Sequence, residues 1–229
     1  MNSREIFLAA CSKISEELAD FGFKASQQCQ SLKKKSADKD ITFEIYFQSS
    51  SLNSPGFVKL LPHLLISSKR LKKWLMEQNN GEYENAMIYG EQLGYITHFQ
   101  EWKSWNVSGN IQETAVAEVI ETIKTYALPI FDLFENTQKA IPFLAANGTK
   151  FNPYANKHLS PLAFMLCLGK KEEAQAFFLN YLADTGGKSA ILKLYKELEG
   201  GKPINLMFSE FSDAVSVKLA YLNGLKTSK

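Results

Sequence analysis

The 229-residue chain is short of several things, and each shortage narrows the chemistry open to it. It has no uninterrupted apolar run near the ~18 residues of a membrane-spanning helix. Its opening, Met1-Asn2-Ser3-Arg4-Glu5, lacks the apolar core of a secretion signal. The expectation is a soluble, cytoplasmic protein. Cysteine is scarce. Cys11, Cys29 and Cys167 are odd in number and scattered, with no C-x-x-C or Cys/His spacing of a zinc site. They read as reduced, partly buried thiols of a reducing compartment. Neither sign of charge is in surplus: 26 basic and 24 acidic side chains leave +2. Up to Asn110 there are 13 basic and 12 acidic residues, so the remainder again holds 13 and 12. Neither half has the excess that would draw it to nucleic acid or anionic lipid. Histidine is sparse as well. His63, His98 and His158 each lack a second histidine or a carboxylate at metal-ligand spacing, and no serine sits in a nucleophile elbow. No catalytic residue, metal or cofactor is predicted.

What is present is alternation. Ile41, Phe43, Ile45 and Phe47 fall on one side of an extended chain, and Thr42, Glu44, Tyr46 and Gln48 on the other. This is the pattern of a strand with one buried and one wetter face. A leading helix precedes it, capped by Ser3, striped by Ile6, Phe7, Ala10, Ile14, Leu18 and Phe21, and stopped by Gly22. Gln28 to Lys35 reads as a first strand, joined to the central one by a turn over Ser36–Asp40. The run Lys33-Lys34-Lys35 reads as a solvated edge, with an anion site as the alternative. Val58, Leu60, Leu64 and Ile66 alternate as a further strand, broken or edged by Pro62. Leu71, Trp74 and Leu75 fit a short helix or a strand end with snorkelling lysines. Asn79 to Asn85 is a polar, mobile stretch. Ala86 to Tyr89 and Leu93 to Phe99 read as two short strands around the turn Gly90-Glu91-Gln92.

Near Gly109 the period changes. Ile111, Ala115, Val119, Ile120, Ile123, Ala127, Ile130, Phe131 and Phe134 form a long helical face that Pro129 should kink or end. Helices follow over Thr137–Ala145, from Ser160-Pro161 to Leu168, over Lys171–Asp184 and Lys188–Glu199, and from about Met207 to Leu225. Strands followed by helices predict an α+β fold. It has an antiparallel N-terminal sheet with a leading helix, then a C-terminal helical subdomain. The expected organisation is one compact body over 1–229, with 1–108 mostly strands and 109–229 mostly helical.

Three motifs invite a functional reading. Thr185-Gly186-Gly187-Lys188-Ser189 has the look of a phosphate loop, but Leu182 stands where its first glycine belongs and a helix precedes it. It reads as a helix stop followed by a helix start. Asp40 with Glu101-Trp102-Lys103 has the residue types of a metal-dependent nuclease, where carboxylates hold Mg²⁺ and lysine offsets developing charge. Sixty residues separate Asp40 from Glu101, more than that layout usually contains. Trp102, Lys103 and Trp105 lie in a polar connection, where a tryptophan either folds into the core or anchors a protein partner. With Tyr46 on the wet side of the central strand, these are the candidate partner-binding residues.

Phe21-Gly22-Phe23-Lys24 after an amphipathic helix, Phe47-Gln48-Ser49-Ser50 closing a strand, then Asn53 and Gly56-Phe57-Val58, resemble an uncharacterised bacterial family, domain of unknown function 4304. The resemblance covers about Arg4 to Ile66; the helical tail departs from it. It implies the company of immunity proteins found beside toxins. The expected function is then a cytosolic, bacterial, protein-binding protein of immunity or antitoxin type, occluding a cognate toxin. The alternatives are a hydrolase or nuclease assembled from distant residues, and an accessory subunit of a larger assembly.

Overall fold

A computed structural model describes residues 1–79, 81 and 86–228. The polar stretch expected over Asn79–Asn85 lies mostly outside the described residues. The chain is α+β, with a leading helix, an antiparallel sheet and a helical C-terminal region. It divides into two compact units interleaved in sequence: residues 1–66, 90–135 and 152–155, and residues 67–89, 136–151 and 156–229.

In the first unit, helix α1 (Ser3–Ala19) is capped by Asn2, one residue before the expected Ser3. The Asn2 side chain accepts the Glu5 N–H at 2.9 Å, and the Glu5 carboxylate accepts the Asn2 N–H at 2.8 Å. Asn2 wins because a glutamate stands three residues on, which closes a reciprocal pair of bonds. Phe7, Ala10, Cys11, Ile14 and Leu18 are buried. The chain leaves through Gly22 at φ +85°, where a side chain would be strained.

The strands are β1 (Lys24–Ala25), β2 (Ser31–Lys35), β3 (Ile41–Ser49), β4 (Lys59–Ser68), β5 (Met87–Gln92) and β6 (Trp105–Asn106). Their order is β1-β2-β3-β4-β5, with β6 also pairing β4. The strand expected over Gln28–Lys35 is β2, which starts only at Ser31 because Cys29 turns at φ +54° ahead of it, and the two-residue β1 precedes it. Strand β3 buries Ile41, Phe43, Ile45 and Phe47, as its alternation predicts. The Phe131 ring packs 5.3 Å from Phe43 and 5.9 Å from Phe23. Pro62 does not break β4; β6 pairs only Lys59 and Leu60, two residues short of the missing N–H.

The stretch Leu93–Phe99 departs from expectation. Residues 90–92 belong to β5, and Leu93–Ile96 form a 3-10 turn. The long apolar helix also has a different build. A 3-10 turn at Gly109–Ile111 leads into α3 (Gln112–Thr122), a π-helical turn over Ile123–Ala127 and α4 (Leu128–Phe134). Pro129 does not end the run; it stands in the first turn of α4, just after the π-helical turn. Leu128 N–H bonds back five residues to Ile123, and this wider turn takes up the ring that would otherwise crowd the Thr125 carbonyl.

The second unit opens with α2 (Lys69–Gln78), so Leu71 and Trp74 belong to a helix, capped by the Ser68 hydroxyl on Leu71 N–H at 3.0 Å. Then follow α5 (Thr137–Asn147), α6 (Pro161–Cys167), α7 (Lys171–Asp184), α8 (Lys188–Glu199) and α9 (Ala214–Leu222). Helix α5 packs on α7, α6 on α7 and α9, and α8 on α9. Pro161 opens α6, although Ser160 makes no side-chain cap. Helix α9 starts at Ala214, seven residues later than expected, because the chain before it folds over a buried cation. Lys218, 1% exposed, donates to the carbonyls of Asn205 (2.9 Å) and Phe208 (2.7 Å) and meets the Glu210 carboxylate at 2.8 Å. All three ammonium protons are thereby used.

That lysine holds the Glu210 carboxyl down to about 2 from its ordinary 4.5, mainly through their hydrogen bond. The stability it supplies is full above about pH 4.5 and is lost as pH falls towards 2. Lys218→Ala strands a carboxylate and two carbonyls, so it should cost about 3 kcal/mol in denaturant unfolding. It should also flatten the loss of stability between those pH values.

Candidate functional site

The outward face of the sheet carries the candidate site, all of it within the first unit. Side chains on β3 alternate, so Tyr46 and Gln48 point away from the core that Ile45 and Phe47 enter. On β4, His63 shares that outer face: its Nε2 lies 2.9 Å from the Gln48 Oε1. The Tyr46 and His63 rings are 6.2 Å apart. Trp102 meets His63 edge-on at 5.3 Å, and Tyr95 meets Trp102 at 6.5 Å. Tyr46, His63, Trp102 and Tyr95 thus form a row of four rings across β3, β4, the 3-10 turn and the loop beyond it. Trp102 is 53% exposed and Tyr46 41%.

The loop that delivers Trp102 is pinned from below. Gln92, buried at the end of β5, donates from Nε2 to the Lys103 carbonyl at 2.6 Å. Its Oε1 accepts Gly94 N–H at 2.8 Å and Lys103 N–H at 3.3 Å. Gly94 is required there: a Cβ would collide with the Glu101 carbonyl and the Lys103 Cβ. The Lys103 ammonium lies 4.0 Å from the Phe99 ring centroid and 5.7 Å from that of Trp105. This cation–π placement holds the ammonium of Lys103, next in the chain to Trp102, over Phe99.

The two tryptophans part company. Trp105 enters β6 opposite Leu60 and is 3% exposed, with Phe99 edge-on at 6.2 Å. It is a core residue and cannot touch a partner. The structure therefore links Tyr46 and Trp102 through His63, leaves Lys103 over Phe99 beside them in the chain, and withdraws Trp105 from the predicted set. Sequence reasoning missed His63, Tyr95 and the Gln92–Gly94 support. His63 was within reach: it is two residues from both Leu61 and Leu65, on the side of β4 opposite Leu60, Leu64 and Ile66.

Burial pushes the His63 pKa below its ordinary 6.5, while the charge of Glu91 opposes this. The imidazole is accordingly neutral near pH 7, a partner for stacking and for one hydrogen bond to Gln48. No three His, Cys, Asp or Glu side chains are grouped to hold a metal among the described residues. Asp40 stands just before β3, six residues or about 20 Å of extended chain from Tyr46. It lies far from the loop of Glu101 and Lys103. The glycines at 186–187 join α7 to α8 as expected, with Gly187 N–H on the Thr185 hydroxyl at 3.2 Å. The Cys11 thiol is buried and raised to about 12, chiefly by desolvation, which leaves it inert. No helix among the described residues is long and apolar enough to cross a membrane.

No family model matches the chain, and no curated protein or solved structure matches it.

Two outcomes follow from this geometry. Gln92→Ala leaves the Lys103 and Gly94 backbone groups without their buried partner, so it should cost about 2 kcal/mol. It should also speed amide hydrogen exchange at Lys103, and unchanged exchange there would show that the clamp is not needed. For His63, the unfolded chain takes up a proton first as pH falls. Stability should then be full above about pH 6.5 and decline below it, and thermal melts of His63→Gln should lack that part of the decline.

Proposed function

We propose that this protein binds another protein through the aromatic row of Tyr46, His63, Tyr95 and Trp102, with Lys103 at its margin. The observation that carries the reading is Trp102, more than half exposed yet held in one place by a clamped loop and an edge-on histidine. An exposed, pre-positioned indole loses little side-chain freedom on association and gains a large buried area, which is how interface hot spots work. The nearly balanced charge suits a partner recognised by shape and aromatic contact.

We propose further that the partner is a toxin and that this chain occludes it, as an immunity or antitoxin-type protein of the bacterial cytoplasm. That part comes from the resemblance of Arg4–Ile66 to domain of unknown function 4304. An accessory subunit would use the same row on a permanent partner, and solution mass separates the two. A hydrolase reading draws less support, since Asp40 stands far along β3 from Glu101 and Lys103.

Co-expression with the product of the neighbouring gene, followed by pull-down, should recover a stable complex and relieve toxicity. Trp102→Ala should weaken that complex about 30-fold, a loss of about 2 kcal/mol, without lowering the melting temperature. Tyr46→Ala should weaken it less. Equal affinity for the wild type and the Trp102 variant would remove the aromatic row from the interface.

A further inference from the structure

The edge of the sheet at β1 and β2 has a different character. A cleft of roughly 650 Å³ opens there, lined by Lys24, Lys33, Lys34, Lys35 and Lys39 together with Gly22 and the start of the β2–β3 turn. Two of the five lysines are neutralised. Lys33 meets Glu44 at 3.3 Å, and Lys34 meets Glu135 at 2.9 Å. Lys24, Lys35 and Lys39 are exposed and make no ion pair among the described residues. In the turn, Asp38 accepts the Ser36 hydroxyl at 2.6 Å and the Asp40 N–H at 3.0 Å.

Lys24 and Lys33 are direct cross-strand partners, about 5 Å apart at Cβ, and Glu44 offsets the charge of Lys33 alone. Lys35 follows on the same face about 6.6 Å further along β2. A lone edge lysine that deters strand pairing needs no such cluster. An anion lying between Lys24 and Lys35 would meet the positive charge that Glu44 leaves unmatched.

We propose that this cleft receives an extended acidic segment of a protein partner. Carboxylates at alternate positions of an extended chain repeat at about the Lys33–Lys35 spacing. Strand β1 covers β2 only at Leu32 and Lys33, so the edge of β2 runs on beyond it towards Lys35 unpaired by a strand. Aliphatic lysine stems wall the cleft, which suits a peptide backbone with acidic side chains reaching the ammonium rim. Nucleic acid is the poorer fit. No aromatic ring lines the cleft to stack on a base, the cations are lysines and not arginines, and the chain as a whole has only +2 to steer a polyanion. The inference deepens the proposed function and rests on it, since β2 is hydrogen-bonded to β3, the strand that carries Tyr46. A partner seated on the aromatic row would then offer an acidic strip two strands away.

The test uses a fluorescent peptide of eight glutamates, inorganic triphosphate and a single-stranded oligothymidylate, each titrated against the wild type and a Lys24→Gln, Lys35→Gln, Lys39→Gln variant. All three positions are exposed, so the variant keeps its fold, which circular dichroism checks. The peptide should bind the wild type at low salt, bind the variant about ten-fold more weakly and be released by salt. Triphosphate and oligonucleotide should not distinguish the two proteins. Equal peptide binding by both would overturn the proposal, as would a preference of the wild type for the oligonucleotide or triphosphate over the peptide. The peptide titration needs no partner, so its failure is read apart from failure of the Trp102 interface.

Discussion

One buried amide governs what the outer face of the sheet presents. Gln92 uses both ends of its side chain on a single loop, donating to the Lys103 carbonyl and accepting from Gly94 and Lys103. Only a side chain carrying donor and acceptor together can do this, and its burial makes each bond costly to lose. Gly94 adds the close approach that lets the loop lie flat on the 3-10 turn. With the backbone at Lys103 held, Trp102 is directed to His63 and the outside. Trp105, three residues on, is directed into the ladder beside Leu60.

The sheet carries two chemistries, one on its outer face and one at its edge. Rings from β3, β4 and the clamped loop make an apolar row, and lysines of β1, β2 and the following turn make a basic cleft. Between them stand Glu44 and Ser31, the carboxylate accepting the Ser31 hydroxyl while it meets Lys33. Regular strands are a suitable base for recognition because little backbone freedom remains to be lost on binding. The inner face repays the ordering of the sheet by burying Phe43, Phe47 and Phe131.

Much of the architecture could be read from the chain. The β3 alternation, Gly22 after α1, the Ser36–Asp40 turn and the limits of α7 and α8 all follow from local rules of period and capping. The misreadings share a cause. Leu93–Phe99 has strand-like composition, yet a side chain from the end of β5 folds its first half into a turn. Pro129 breaks an isolated helix, yet a π-helical turn absorbs it where Ile123, Ala127 and Ile130 are buried together. Met207–Asp213 could have continued a helix, yet its carbonyls and Glu210 close around Lys218. In each case a contact distant along the chain, or a packing demand, overrode local preference.

For the candidate site the division is clean. Residue order alone determined that Tyr46 faces away from the core, because side chains on a strand alternate and its neighbours are apolar. It also determined that lysines crowd the β2 edge. It could not say which of Trp102 and Trp105 is exposed, since both stand in the same polar connection with the same local signals. That was decided by the pairing of Trp105 with β4 and the grip of Gln92 on Lys103. Hydrogen bonds between residues remote in sequence leave no periodic trace in the chain that makes them.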